Sequence, residues 1–145
     1  LKSLETLALR VEAQTKTAKQ LTENIKHHPT VLSVSYPGDQ SHPQYELASR
    51  QMSGSSTLLA FEVKGGRNGA FKFLNALKLI DISNNLGDSK SLACHPSSTT
   101  HMNLSKDDRQ MLEINEGHIR LSVGLEHADD LTTDIQQALD VCGGY

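Results

Sequence analysis

The sequence predicts an α/β domain of the α+β kind: a small mixed or antiparallel sheet of about four strands, with helices packed mainly on one face. Three observations predict it. Strand-like and helix-like segments alternate along the chain. The strand-like segments alternate apolar and polar residues instead of running continuously apolar, so only one sheet face is buried. The 145 residues fit one domain, which at this size buries roughly 70% of the surface its unfolded chain exposes.

Leu4, Leu7, Val11, Ala18, Leu21 and Ile25 form a narrow apolar stripe on a long helix ending near Lys26, before Pro29. The opposite face is Lys, Glu, Thr and Gln, so this helix needs a surface to lie on. Val31 to Tyr36 reads as a strand with Leu32, Val34 and Tyr36 on one side, closed by Pro37-Gly38. A short helix from His42 or Pro43 to Met52 follows, then a strand from Thr57 to Lys64 with Leu59, Phe61 and Val63 inward. Asn68 to Asp81 reads as a helix with Phe71, Leu74 and Leu77 inward, and Lys90 to Cys94 as a short strand. Ser105 and Asp108 have capping-box spacing for a helix to about Glu113. His118 to Leu125 is the clearest strand, with Ile119, Leu121 and Val123 on one face and Arg120 and Ser122 on the other. Ala128 to Val141 is the last helix, burying Leu131, Ile135, Ala138 and Leu139, with Gly143-Gly144 as its stop.

Composition narrows the function. Apolar residues are 37% of the chain and Trp is absent, which fits a modest core or a domain resting on a larger partner. The net charge is −3 with scattered Lys and Arg, so no nucleic-acid partner is expected. No apolar run reaches the ~18 residues of a membrane span and no leader pattern opens the chain, so no membrane partner is expected. Two cysteines, Cys94 and Cys142, make no disulfide framework and suggest a reducing, cytoplasmic setting. Leu1 already lies inside a helical pattern, and the sequence is expected to be a piece of a longer protein.

Arg120 is the first candidate for chemistry. It projects from the face opposite the core, and its planar fork suits a carboxylate. A surface arginine paired with Glu62 or Glu126 is the alternative, and both readings stand at this level. Asn85-Leu86-Gly87-Asp88-Ser89 is a turn with donors for an anion. Cys94, His95 and His101 make no metal site, because neighbours in a strand point to opposite faces. The remaining histidines, His27, His28, His42, His118 and His127, read as solvent-facing or turn residues. Walker, Gly-x-Gly-x-x-Gly and Gly-x-Ser-x-Gly patterns are absent from the sequence.

Several runs, in register and covering nearly the whole chain, resemble the Cys/Met-metabolism PLP-dependent enzyme family. They are Tyr36-Pro37-Gly38, Ser41-His42-Pro43-Gln44, Arg50 to Gly54, Asn85 to His101, and Ile119 to Glu126 followed by Asp129-Asp130-Leu131. The resemblance implies the C-terminal domain of a fold-type I enzyme: residues 1–28 as a connector helix and 29–145 as the small domain, with the PLP-binding large domain outside this sequence. It implies that Arg120 binds the substrate α-carboxylate, assisted by Asn85 and the backbone at Leu86. Ser91 and Thr100, inside the matched run, are secondary candidates.

No catalytic and no cofactor-binding residue is expected in this chain, because the Ser-x-Thr-Lys context of the cofactor's lysine does not occur. Asn85, Asp88, His95-Pro96 and Thr99-Thr100-His101 resemble the O-succinylhomoserine or O-acetylhomoserine sulfhydrylases most. Cystathionine γ-synthase, cystathionine γ-lyase and methionine γ-lyase are the alternatives within the family. A non-catalytic amino-acid-binding or oligomerisation module is the alternative outside it. The implied partners are the protein's own large domain, an amino-acid substrate and further copies, a tetramer in the family.

Overall fold

Alternating burial sets the architecture. In the computed structural model, which describes residues 2–144, every second residue of the strand Leu58–Val63 (β2) is buried. Leu1, at the start of the expected connector helix, and Tyr145, at the end of the expected domain, lie outside the described residues. The other strands are β1 (Val31–Ser35), β3 (Asp81–Ile82), β4 (Leu92–Cys94) and β5 (His118–Ser122). They form one mixed sheet of order β1-β2-β5-β4-β3, antiparallel except for β3 beside β4. The mixed sheet with helices on one face is as expected, and β3 adds a fifth strand to the expected four or so. At two residues it is too short to show a period, and its place comes from its ladder to β4.

Leu59, Phe61, Val63, Ala93, Ile119, Leu121 and Val123 supply the sheet's half of the core. Helices α2 (Leu7–Ile25), α4 (Gly66–Ala76) and α6 (Ala128–Gly143) supply the other half, through Ala18, Leu21, Ile25, Ala70, Phe73, Leu74, Leu131, Ile135, Ala138 and Leu139. Phe61 and Phe73 meet edge to face at 5.4 Å. The opposite sheet face, bearing Ala60, Glu62, His118, Arg120 and Ser122, has no such helical layer. No helix among the described residues is long and apolar enough to cross a membrane.

Four expectations are corrected by tertiary contacts. The first helix is two helices, α1 (Lys2–Glu5) and α2, separated at Thr6. Leu32 is exposed, because a register shift between Val31 and Ser33 changes the parity of β1 and leaves Val31 and Val34 against the core. Pro43 lies in a turn, and α3 runs only from Tyr45 to Gln51.

The helix expected over 68–81 is α4, Gly66–Ala76. Gly65 caps it with φ +85°, a left-handed conformation that suits glycine. Its end is set from α6, where the buried Asp134 carboxylate accepts the amides of Lys78, Leu79 and Ile80 at 2.8, 2.9 and 3.0 Å. Those bonds draw the chain out of the helix. Its buried face is Ala70, Phe73 and Leu74, whereas Phe71 faces outward between Arg67 and His95.

Ser105 accepts the Asp108 amide and caps α5 (Lys106–Met111), as expected. Gly144 ends α6 in a left-handed C-cap.

Asp39 ties the β1–α3 connection to α2. It accepts the Ser41 amide (2.8 Å) and hydroxyl (2.7 Å), and the Lys26 ammonium at 3.0 Å. These bonds hold its carboxyl down, from the ordinary 3.8 to about 2. Because the folded value lies below the unfolded one, the bonds stabilise fully above about pH 4 and are lost as pH falls toward 2. Asp39→Asn should therefore flatten the acid limb of stability in that window and leave the slope above pH 5 unchanged, read by urea midpoints across pH. An unaltered acid limb would remove Asp39 from this role.

Candidate carboxylate-binding site

Arg120 stands in β5 with Ala60 of β2 and Cys94 of β4 as its cross-strand partners. Both are short, which leaves room on the open face for the long arginine stem. The acids that could have neutralised it are engaged elsewhere. Glu62 accepts from Asn115 Nδ2 at 3.0 Å. Glu126 accepts the Ser91 amide and hydroxyl at 2.7 and 2.8 Å. Among the described residues no carboxylate pairs with Arg120. Its Nη2 donates instead to the carbonyls of Asn84 (2.8 Å) and Asn85 (3.2 Å), and its buried Nε has no partner. A guanidinium held by neutral carbonyls keeps its full charge for an incoming anion.

The loop after β3 is pinned around this arginine. Gly87 takes φ +77°, and its amide donates to Ser122 Oγ at 3.0 Å. The Asp88 carbonyl accepts from Gln14 Nε2 at 2.8 Å, and the Ser89 carbonyl accepts the Leu125 amide at 2.8 Å. Leu86 sits at the exposed crest, and its amide makes no hydrogen bond among the described residues. Arg120 and Asn85 are thus joined through the Asn85 carbonyl, with Leu86 next in the chain: a guanidinium, an exposed amide side chain and a main-chain amide with no hydrogen bond among the described residues. That set matches the acceptor oxygens of a carboxylate.

The two secondary candidates fall elsewhere. Ser91 is buried, and its hydroxyl is spent on Glu126 and on the Gly124 amide. It braces β4 to the turn after β5 and is not free for a substrate. A Cβ at Gly124 would collide with the Lys90 and Ser91 backbone, which explains glycine there. Thr100 hydrogen-bonds to its neighbour His101, and no hydrogen bond among the described residues joins it to Arg120 or the 84–89 loop.

A cleft of about 570 Å3, lined by Phe71, Ile82, Asn84, Cys94, His95 and Thr99, adjoins the site. His95 has both ring nitrogens occupied, by Ser98 Oγ and the Glu116 carbonyl. Burial pushes the Cys94 thiol up, and the Arg120 charge only partly offsets it. His118 is half-buried rather than solvent-facing, and its burial lowers its pKa. His28 is also half-buried, against Asp140.

Sequence reasoning missed Gln14 and Ser122 as supports of the loop. A signal existed for each: Gln14 interrupts an apolar stripe, and Ser122 shares a strand face with Arg120.

The chain is thus an α/β domain whose open sheet face presents an arginine with no carboxylate partner among the described residues. The chain belongs to the Cys/Met metabolism PLP-dependent enzyme family, whose model matches residues 1–140. It is 47% identical over 143 residues to an O-succinylhomoserine sulfhydrylase of Mycobacterium tuberculosis, covering 96% of this chain and 35% of the relative. It is 45% identical over 139 residues to an L-methionine gamma-lyase of Pseudomonas putida, covering 96% and 35%. A crystal structure of cystathionine gamma synthase from Xanthomonas oryzae pv. oryzae, in complex with aminoacrylate and cysteine, superposes with a TM-score of 0.94 at 32% identity. That match covers 99% of this chain and 37% of the other. The chain therefore spans about a third of the length of the relatives it matches.

The family is PLP-dependent, yet the described residues do not fit the cofactor. The open face that bears Arg120 carries no lysine, and Lys90, the nearest in sequence to the loop, is exposed and paired with Asp81. The guanidinium and its neighbours fit a carboxylate.

Proposed function

We propose that this chain is the C-terminal domain of a PLP-dependent homoserine-ester sulfhydrylase, which replaces the γ-ester of its substrate with sulfide to give homocysteine. The observation that supports this reading most is Arg120, which among the described residues has no acid partner and is held by the Asn84 and Asn85 carbonyls, just before a Leu86 amide that makes no hydrogen bond there. In this reading Arg120 and Leu86 grip the α-carboxylate, Asn85 adds a side-chain donor, and the substrate's reactive carbons are thereby fixed over the cofactor. PLP would supply the electron sink, held with its lysine by a large domain elsewhere in the same protein.

The exposed residues Leu4, Leu7, Leu9 and Val11 suit docking against that domain. The setting is proposed as cytoplasmic, with free Cys94 and Cys142, and the assembly as a homo-oligomer, a tetramer on the family pattern.

Lyase chemistry on methionine or cystathionine is the second reading, favoured by the 45% identity to the methionine gamma-lyase. The full-length protein assayed with O-succinylhomoserine and O-acetylhomoserine plus sulfide should form homocysteine from at least one ester. Thiol and keto-acid release from methionine, without use of either ester, would hand the assignment to the lyases. Amino-acid binding with no turnover of any of these would make the protein a binding module.

A further inference from the structure

Helix α2 buries Ala18, Leu21 and Ile25, yet Gln14, on the same stripe, is only 4% exposed. An apolar side chain would pack there without the desolvation cost of an amide, so the bond that Gln14 makes is the reason to look for a role. That bond crosses 74 residues of sequence, from Nε2 to the Asp88 carbonyl at 2.8 Å. A second support comes from the sheet. Ser122, 1% exposed, accepts the Gly87 amide at 3.0 Å and lies two residues beyond Arg120 on the same strand face. Between these supports and the Arg120 contacts to Asn84 and Asn85, Leu86 is the one residue of the 84–89 loop whose main chain makes no hydrogen bond among the described residues.

We propose that Gln14 is a positioning residue, aided by Ser122, that sets the Leu86 amide at the height where it shares an amino-acid carboxylate with Arg120. Affinity for the carboxylate is then governed from α2. This rests on the carboxylate reading of Arg120, and the test separates the two.

Gln14→Met in the full-length protein keeps the side chain's length and continues the apolar stripe, so the fold is retained while the tie is lost. The probes are L-norleucine, which has no leaving group at its γ-carbon, and n-pentylamine, the same skeleton without the carboxylate. Dissociation constants from titration calorimetry should show norleucine weakened about tenfold, with pentylamine within about twofold of wild type. Ser122→Ala, a smaller deletion, should weaken norleucine selectively by about three- to tenfold and serves if the methionine variant does not fold. A residue that merely fills space would weaken both ligands alike. Equal losses, or an unchanged norleucine constant, overturn the proposal. If Arg120→Ala also leaves the preference for norleucine intact, the carboxylate reading itself fails. If Arg120→Ala abolishes that preference and the Gln14 and Ser122 variants do not, only the positioning role falls.

Discussion

Arg120→Ala in the full-length enzyme is expected to lower kcat/KM for its amino-acid substrate by about 2–4 kcal/mol, roughly 30- to 1,000-fold. The size follows from what is left behind. A carboxylate brought against the open sheet face loses water, and without the guanidinium it keeps only the Leu86 amide and the Asn85 side chain. The loss should fall on both kcat and KM, because a substrate held at one end only is also misaligned for reaction.

Arg120→Lys retains the charge but not the planar fork and should recover only part of the loss. Neither variant should unfold the domain. The side chain lies outside the core, and its Asn84 and Asn85 partners are exposed and can turn to water. Wild-type kinetics in Arg120→Ala would remove this residue from the site.

Asp134→Ala is expected to be the most destabilising single substitution in the helical layer, at about 3–5 kcal/mol. The carboxylate is 6% exposed and accepts the amides of Lys78, Leu79 and Ile80, with Gln137 Nε2 at 3.1 Å on one oxygen. Removing it strands the buried Ile80 amide, leaves those of Lys78 and Leu79 to water, and loosens the end of α4 from α6. Asp134→Asn should cost somewhat less, since one oxygen remains while the new NH2 faces donors. For a domain of this size the alanine change corresponds to a fall in melting temperature of about 6–20 °C. Urea unfolding of wild type and variant reads the difference directly, and a cost below about 1 kcal/mol would contradict the account.

The same residue shows where sequence reasoning stops. The helical pattern runs from Asn68 toward Asp81 because the local period continues, but Asp134, 54 to 56 residues away, claims the amides that would have extended it. Local pattern reads local preference, and a long-range acceptor overrides it. Leu32 is misplaced for a similar reason: one register shift in β1 inverts a parity that the residues alone suggest.

The features that came through were those with long, clean periods: the inward faces of β2, β5 and α6, and the outward face of Arg120. The site was half legible. Alternation in β5 was enough to put Arg120 on the open face, but nothing periodic links it to Asn85 and Leu86. That link came first from resemblance and then from the two carbonyl bonds. Ser91 misled because a serine in a matched run looks available, whereas its hydroxyl is already closed into the Glu126 and Gly124 network.

The central claim is that Arg120 reads a carboxylate, and one comparison tests it most directly. The binding of L-norleucine and of n-pentylamine is measured on the full-length protein, as wild type and as Arg120→Ala. The account predicts a strong wild-type preference for norleucine that collapses to near equality in the variant. A preference that survives the loss of Arg120 would contradict it.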